Sequence, residues 1–136
     1  MIAILCIDSQ NGLMFNHRRQ SRDRRVLEDV QQLCAEKPLM MNAYSSRLFL
    51  QQGFQHLTVL PDFLERAAPG DFCFIEGDSL IPFQDKLEQL ILYCWNRVYP
   101  ADVFFDPSLL HGLTLKETTE FSGSSHKIIT RKVYKR

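Results

Sequence analysis

Three groups of residues in this sequence have the types and spacing to do chemistry. The first is Asp23, set within residues 16–25, NHRRQSRDRR. Apolar residues follow at Val26, Leu27, Val30, Leu33 and Cys34, the spacing of a helix. On such a helix Asp23 shares the inward face with Val26 and Leu27. A carboxylate at the mouth of an apolar cleft can have a raised pKa and serve in proton transfer. The competing reading is an acidic residue favoured by the positive end of the helix dipole. Glu28 and Asp29 fall on the solvated face.

The second group is Glu76-Gly77-Asp78-Ser79, a strand-Gly-helix turn. Such turns present backbone N–H groups to phosphates. Two carboxylates flank this glycine, and like charge opposes an anionic pyrophosphate. Simple capping by Asp78 or Ser79 accounts for the same residues. The third group is the arginine run itself, Arg18, Arg19, Arg22, Arg24 and Arg25. Its default reading is a solvated loop and first helical turn. A small anion or the acidic surface of a second subunit are the alternatives, so a homodimer stays open.

Other chemistry finds little support. His17, His56, His111 and His126 are scattered without metal-ligand spacing, so no metal site is expected. Ser45, Ser46 and the serines near 122–125 have no evident base beside them, so nucleophilic catalysis is unsupported. Cys6, Cys34, Cys73 and Cys94 form no CxxC pair, and three of them lie in apolar runs. They read as small core side chains of a reduced, cytoplasmic protein. Net charge is zero, with 16 basic and 16 acidic residues, which excludes broad attraction to nucleic acid or an anionic membrane. No apolar run approaches the roughly 20 residues of a membrane span.

The elements that must position these residues alternate in type. Unbroken apolar runs at 2–7, 39–41, 57–60, 72–75 and 90–95 read as buried strands. Helical patterns lie between them, at 22–34, at YSSRLFLQQG closed by Gly53, at PDFLERA, and at DSLIPFQDKL with Pro82 in its first turn. The C-terminal segments LTLKETTEF and HKIITRKVYK alternate around SGSS, the pattern of an antiparallel hairpin. The order implies a single α/β domain over residues 1–136. Its sheet is mostly parallel, with helices on both faces and the hairpin at one edge.

In that order and spacing the chain resembles the dihydrofolate reductase family over nearly its whole length. The resemblance rests on IAILCID followed by QNGLM, on VLEDVQQL, on KPLMMNAYSSRLF, on FCFIEGDSLI and on LILYCW with ADVFFDP. It implies a three-layer dihydrofolate-reductase-like fold and NADPH-dependent reduction of dihydrofolate or another pterin. It also implies a substrate cleft at Ile4, Val26, Leu27, Val30 and Phe54, and cofactor contacts at Gly12, Asn42, Ala43, Gly77, Asp78 and Ser79.

The departures from the family pattern are specific. The slot of the family's cleft carboxylate reads Val26, which leaves Asp23 as the candidate acid. The phosphate-binding Gly-Arg reads Asn42-Ala43, the arginine for the folate tail falls on Phe54, and the paired glycines read Glu76-Gly77. The Pro-Trp pair ahead of the cleft helix is replaced by RRQS. Only about ten residues separate HLTVL from DFCFIEG, where the family carries another strand and helix on the adenosine side. These changes imply a shortened relative with a degenerate site. Its reductase activity is weak or lost, or it is a binding or assembly protein that retains the fold.

Overall fold

The computed structural model describes Met1–Arg136 and is organised around strand β1, Ile2–Ile7. Ala3, Leu5 and Ile7 enter one core and Ile2 and Ile4 the other, because successive side chains leave a strand on opposite faces. A strand buried on both sides needs apolar residues at every position, which the run IAILCI supplies.

β1 pairs in parallel with β6, Phe72–Phe74, and with β7, Gln89–Cys94. Beyond β6 lie β4, Leu39–Met41, and β5, Leu57–Val59, both parallel. Beyond β7 lies the C-terminal hairpin of β10, Ile129–Lys135, and β9, Thr114–Phe121, both antiparallel. The seven-stranded order is β5-β4-β6-β1-β7-β10-β9. Nothing pairs beyond β5, and only the short helix α3, Phe63–Arg66, joins β5 to β6. The sheet ends at β5, and the connection from β5 to β6 is as short as the sequence spacing has it.

Helices α1, Arg24–Cys34, and α2, Ala43–Gln51, cover one face. Val26, Leu27, Val30 and Cys34 of α1 pack with Leu48 and Phe49 of α2 over Ile4, Phe74 and Tyr93. Phe49 holds edge-to-face contacts with Phe54 and Phe74, at 5.3 and 4.8 Å between centroids. The opposite face is covered by Phe63, Leu64, Leu80, Leu87 and Leu109. No helix is long and apolar enough to cross a membrane.

Three features differ from the sequence reading. Residues 81–86 form a 3₁₀ helix rather than an α-helix. Pro82 supplies no N–H, and so short a segment gains little from α-helical nucleation. A second, three-stranded sheet is formed by β2, Gly12–Phe15, β3, Arg18–Arg19, and β8, Val103–Phe104. Asp29 is not on a solvated face. It accepts from the Tyr93 hydroxyl and from Arg131 Nη1, each at 2.6 Å, while Glu28 is half-buried with its side chain reaching solvent.

Candidate functional site

The arginine run enters the fold through a tight turn. Asn16 and His17 both have positive φ, 50° and 61°, and they join β2 to β3. Two consecutive positive φ values suit the twist of a two-residue hairpin. This turn carries Arg19 inward. Its guanidinium meets Glu76 through two contacts, Nε to Oε2 at 2.8 Å and Nη2 to Oε1 at 2.9 Å. The Ser45 hydroxyl donates to the same Oε1 at 2.8 Å. The Tyr44 ring lies 4.5 Å from the guanidinium carbon, and its hydroxyl accepts from the Arg19 backbone N–H.

This ion pair lies in a cleft lined by Leu13, Val26, Leu27, Leu48, Phe74 and Trp95, with Asp23 also on its wall. The free space is about 20 Å³, room for roughly one water molecule. Three expected cleft residues are elsewhere. Ile4, Val30 and Phe54 are buried in the packed core and do not line this opening.

Asp23 is the N-cap of α1, with extended φ and ψ of −152° and 124°. Its Oδ1 accepts from the N–H groups of Arg25 and Ser124, both at 2.9 Å, and from the Ser124 hydroxyl at 3.1 Å. Its Oδ2 accepts from the Ser125 N–H at 2.9 Å, the Ser125 hydroxyl at 3.2 Å and His126 Nδ1 at 2.9 Å. Burial alone would raise its pKa. The N–H groups of Ser124 and Ser125, with His126 and Arg25, outweigh burial and hold the carboxyl well below the usual carboxylate range. The raised pKa wanted of a general acid is therefore not what this environment produces.

The other side of His126 completes a chain of polar groups. Its Nε2 lies 3.1 Å from the Ser21 hydroxyl and 2.9 Å from the Tyr99 hydroxyl. The imidazole stacks on Trp95, 4.6 Å between centroids and 23° between planes. Sequence reasoning set His126 aside as scattered and did not consider Ser21. More than a hundred residues separate the two, so no spacing rule connects them. Only the return of β10 beside β7 brings the 124–126 loop to the N-terminus of α1.

The expected cofactor positions divide into two sets. Gly77, Asp78 and Ser79 line a second cavity of about 100 Å³ together with Leu80, Phe104 and Phe105. Gly12, Asn42 and Ala43 do not line it. Asn42 caps α2 by accepting from the Ser45 N–H at 2.9 Å, and its amide donates to Asp78 at 3.1 Å. Burial raises the pKa of Asp78. Gly12 donates its N–H to Asp8 Oδ1 at 2.7 Å, and a Cβ there would meet Gln20 at 2.5 Å and Ala101 at 2.8 Å. At Gly77 a Cβ would lie 2.6 Å from Met14 Sδ. Ala101 Cβ cannot move aside, so packing holds position 12 to glycine, whereas at Gly77 the flexible Met14 side chain has room to shift.

Among solved structures, the chain is similar to dihydrofolate reductase from Enterococcus faecalis, complexed with NADP(H) and RAB-propyl. The match covers 99% of this chain and 95% of that one, at 15% identity and a TM-score of 0.64. No family model matches the sequence, and neither does any curated protein. The chain therefore has the dihydrofolate-reductase-like fold.

Proposed function

We propose that this protein keeps the dihydrofolate-reductase-like fold with a site in which reduction of dihydrofolate, or of another pterin, is weak or lost. The observation that carries this reading is the Arg19–Glu76 ion pair, held by Ser45 and Tyr44 within a cleft of about 20 Å³. Specific small-molecule sites are on the order of 300–1,000 Å³. One water's worth of room does not admit a fused ring system unless Arg19 leaves. Asp23 adds to the argument, since an ionised, fully hydrogen-bonded cap has no proton to give. Val26 supplies neither a proton nor a hydrogen bond.

On this reading NADPH binds weakly. Ala43 provides no cation for phosphate, Asp78 adds negative charge beside Gly77, and Arg19 is taken up by Glu76. Each lost charge-assisted contact costs roughly 1.5–3 kcal/mol, so several together weaken binding by about a thousandfold or more. The chain then serves as a binding or assembly protein. The test pairs calorimetric titration with NADPH and a dihydrofolate-dependent NADPH oxidation assay. Affinity weaker than micromolar and no turnover above background are expected. Brisk turnover by the wild-type protein would overturn the reading.

A further inference from the structure

We infer that Ser21, His126 and Asp23 form a nucleophile–base–carboxylate relay that hydrolyses esters, an activity independent of any pterin chemistry. The geometry has the order such a relay needs. The Ser21 hydroxyl is 3.1 Å from His126 Nε2, and His126 Nδ1 is 2.9 Å from Asp23 Oδ2. An ionised carboxylate facing Nδ1 requires a proton there, which leaves Nε2 as the acceptor for the serine. Asp23 is fixed by the N–H groups of Ser124, Ser125 and Arg25, and the imidazole is fixed by Trp95. The ring therefore has little freedom to turn away.

Ser21 is half-buried and opens onto a polar depression of about 550 Å³ that Arg22 and Arg24 flank. The Arg22 guanidinium has one donor engaged, with Gln51 at 3.1 Å. The backbone N–H groups of Ser21 and Arg22 donate to no acceptor within the protein. Donors of this kind, at and just after a nucleophile, suit the oxygen of a tetrahedral intermediate. Arg22, engaged only by the neutral Gln51, selects an ester that carries an anionic group, while Arg24 is paired with Glu28. Tyr99, 2.9 Å from Nε2, competes with Ser21 for the same lone pair and moderates the resting site.

In the reaction the Ser21 oxygen bonds to the carbonyl carbon as its proton passes to His126 Nε2. The bond to the leaving alcohol breaks, and that oxygen takes the proton from Nε2. Water, deprotonated by the same nitrogen, then attacks acyl-Ser21. It releases the carboxylic acid and restores the serine. The sum is ester plus water to acid plus alcohol, with no change of oxidation state. Ser21 and His126 are the catalytic residues, and Asp23 is a positioning residue.

The test uses the full chain with a fluorophosphonate probe, mapped by peptide mass spectrometry, and with two p-nitrophenyl esters, the acetate and the anionic hemisuccinate. The expected results are labelling at Ser21, none in Ser21→Ala, and at least about a hundredfold slower labelling in folded His126→Gln. Tyr99→Phe should label at least as fast as wild type. Hemisuccinate should be cleaved about tenfold faster than acetate. Wild-type protein left unlabelled at Ser21 would overturn the relay whatever the variants do. Labelling of Ser21 at an unchanged rate in His126→Gln would also overturn it. Equal rates on the two esters would overturn the anionic assignment.

Discussion

Replacing Asp23 with asparagine tests the cap that joins α1 to the C-terminal hairpin loop. The carboxylate faces six donor groups, three on each oxygen, one of them the Ser125 hydroxyl, whose single proton is shared with the Arg22 carbonyl at 2.9 Å. An amide keeps one accepting oxygen and turns an NH₂ towards the other three donors. The Ser125 hydroxyl can rotate and His126 can change tautomer, but the Ser125 N–H cannot adapt. One orphaned backbone N–H costs about 1–3 kcal/mol, and loss of charge on the remaining bonds adds about 1 kcal/mol. The expected loss at pH 7 is therefore about 3 kcal/mol, a large share of the roughly 5–15 kcal/mol that holds a domain together. The pH dependence has a definite sign. Asp23 has a depressed folded-state pKa, so its contribution is fully present above the unfolded value, about 3.9. That contribution is lost as pH falls below 4 towards the folded value. Urea unfolding of wild type and Asp23→Asn at pH 7, 5 and 3 should show a gap that is constant from 7 to 5. Below pH 4 it should narrow by about 1 kcal/mol per pH unit. A gap under about 1 kcal/mol at pH 7, or one that stays the same at pH 3, would refute the reasoning.

Arg19→Met leaves the buried Glu76 carboxylate with the Ser45 hydroxyl alone. It should cost about 2–4 kcal/mol in denaturant unfolding, below the full range for a broken buried pair because Arg19 keeps part of its surface in water. Arg19→Met combined with Glu76→Leu should recover at least about half of that loss, since an apolar pair removes the stranded charge, and no recovery would argue against this account. Ala35 ends α1 with φ of 51° and ψ of −116°, a conformation suited to glycine. Ala35→Gly should raise stability by about 1 kcal/mol in the same assay, and a loss would contradict the strain.

How much of this could be read from the chain depended on where each residue's partner lies. The parallel strands were legible because burial on both faces demands apolar residues throughout, as in LILYC of β7. The hairpin of β9 and β10 was legible from its alternation. The small sheet was not, because β3 is two arginines and β8 is two exposed residues, and neither has a period to detect. Asp29 was misplaced for a related reason. Its partners, Tyr93 and Arg131, sit 64 and 102 residues away. The candidate site suffered most. Asp23 was singled out as a candidate acid on the inward face with Val26 and Leu27, and it is the N-cap of α1, the helix-start place that the competing reading gave it. Nothing in its neighbourhood shows the serines of the 124–125 loop or His126, and these decide its charge.

The arginine run itself divides into separate tasks. Arg18 is exposed at the hairpin turn, while Arg19 closes on Glu76. Arg22 reaches Gln51, and Arg24 and Arg25 form solvent-exposed pairs with Glu28. Exposed pairs of that kind contribute little to stability, so the two halves of the run are energetically unequal. Arg19 is a structural closure, and Asp23, held from the hairpin loop, fixes the backbone a few residues later. The segment between them, Gln20 to Arg22, is therefore anchored at both ends. Opening the apolar cleft requires Arg19 to leave Glu76, but it does not require the Asp23 cap to release. The depression shares Ser21, Arg22, Asp23 and Leu27 with the cleft wall, yet it holds about 550 Å³ of free space against about 20 Å³ in the shut cleft. A ligand that enters the cleft must compete with an ion pair, whereas one that enters the depression meets Arg22, whose guanidinium is engaged only by the neutral Gln51. That asymmetry favours an anionic molecule at Ser21 over a pterin at Val26.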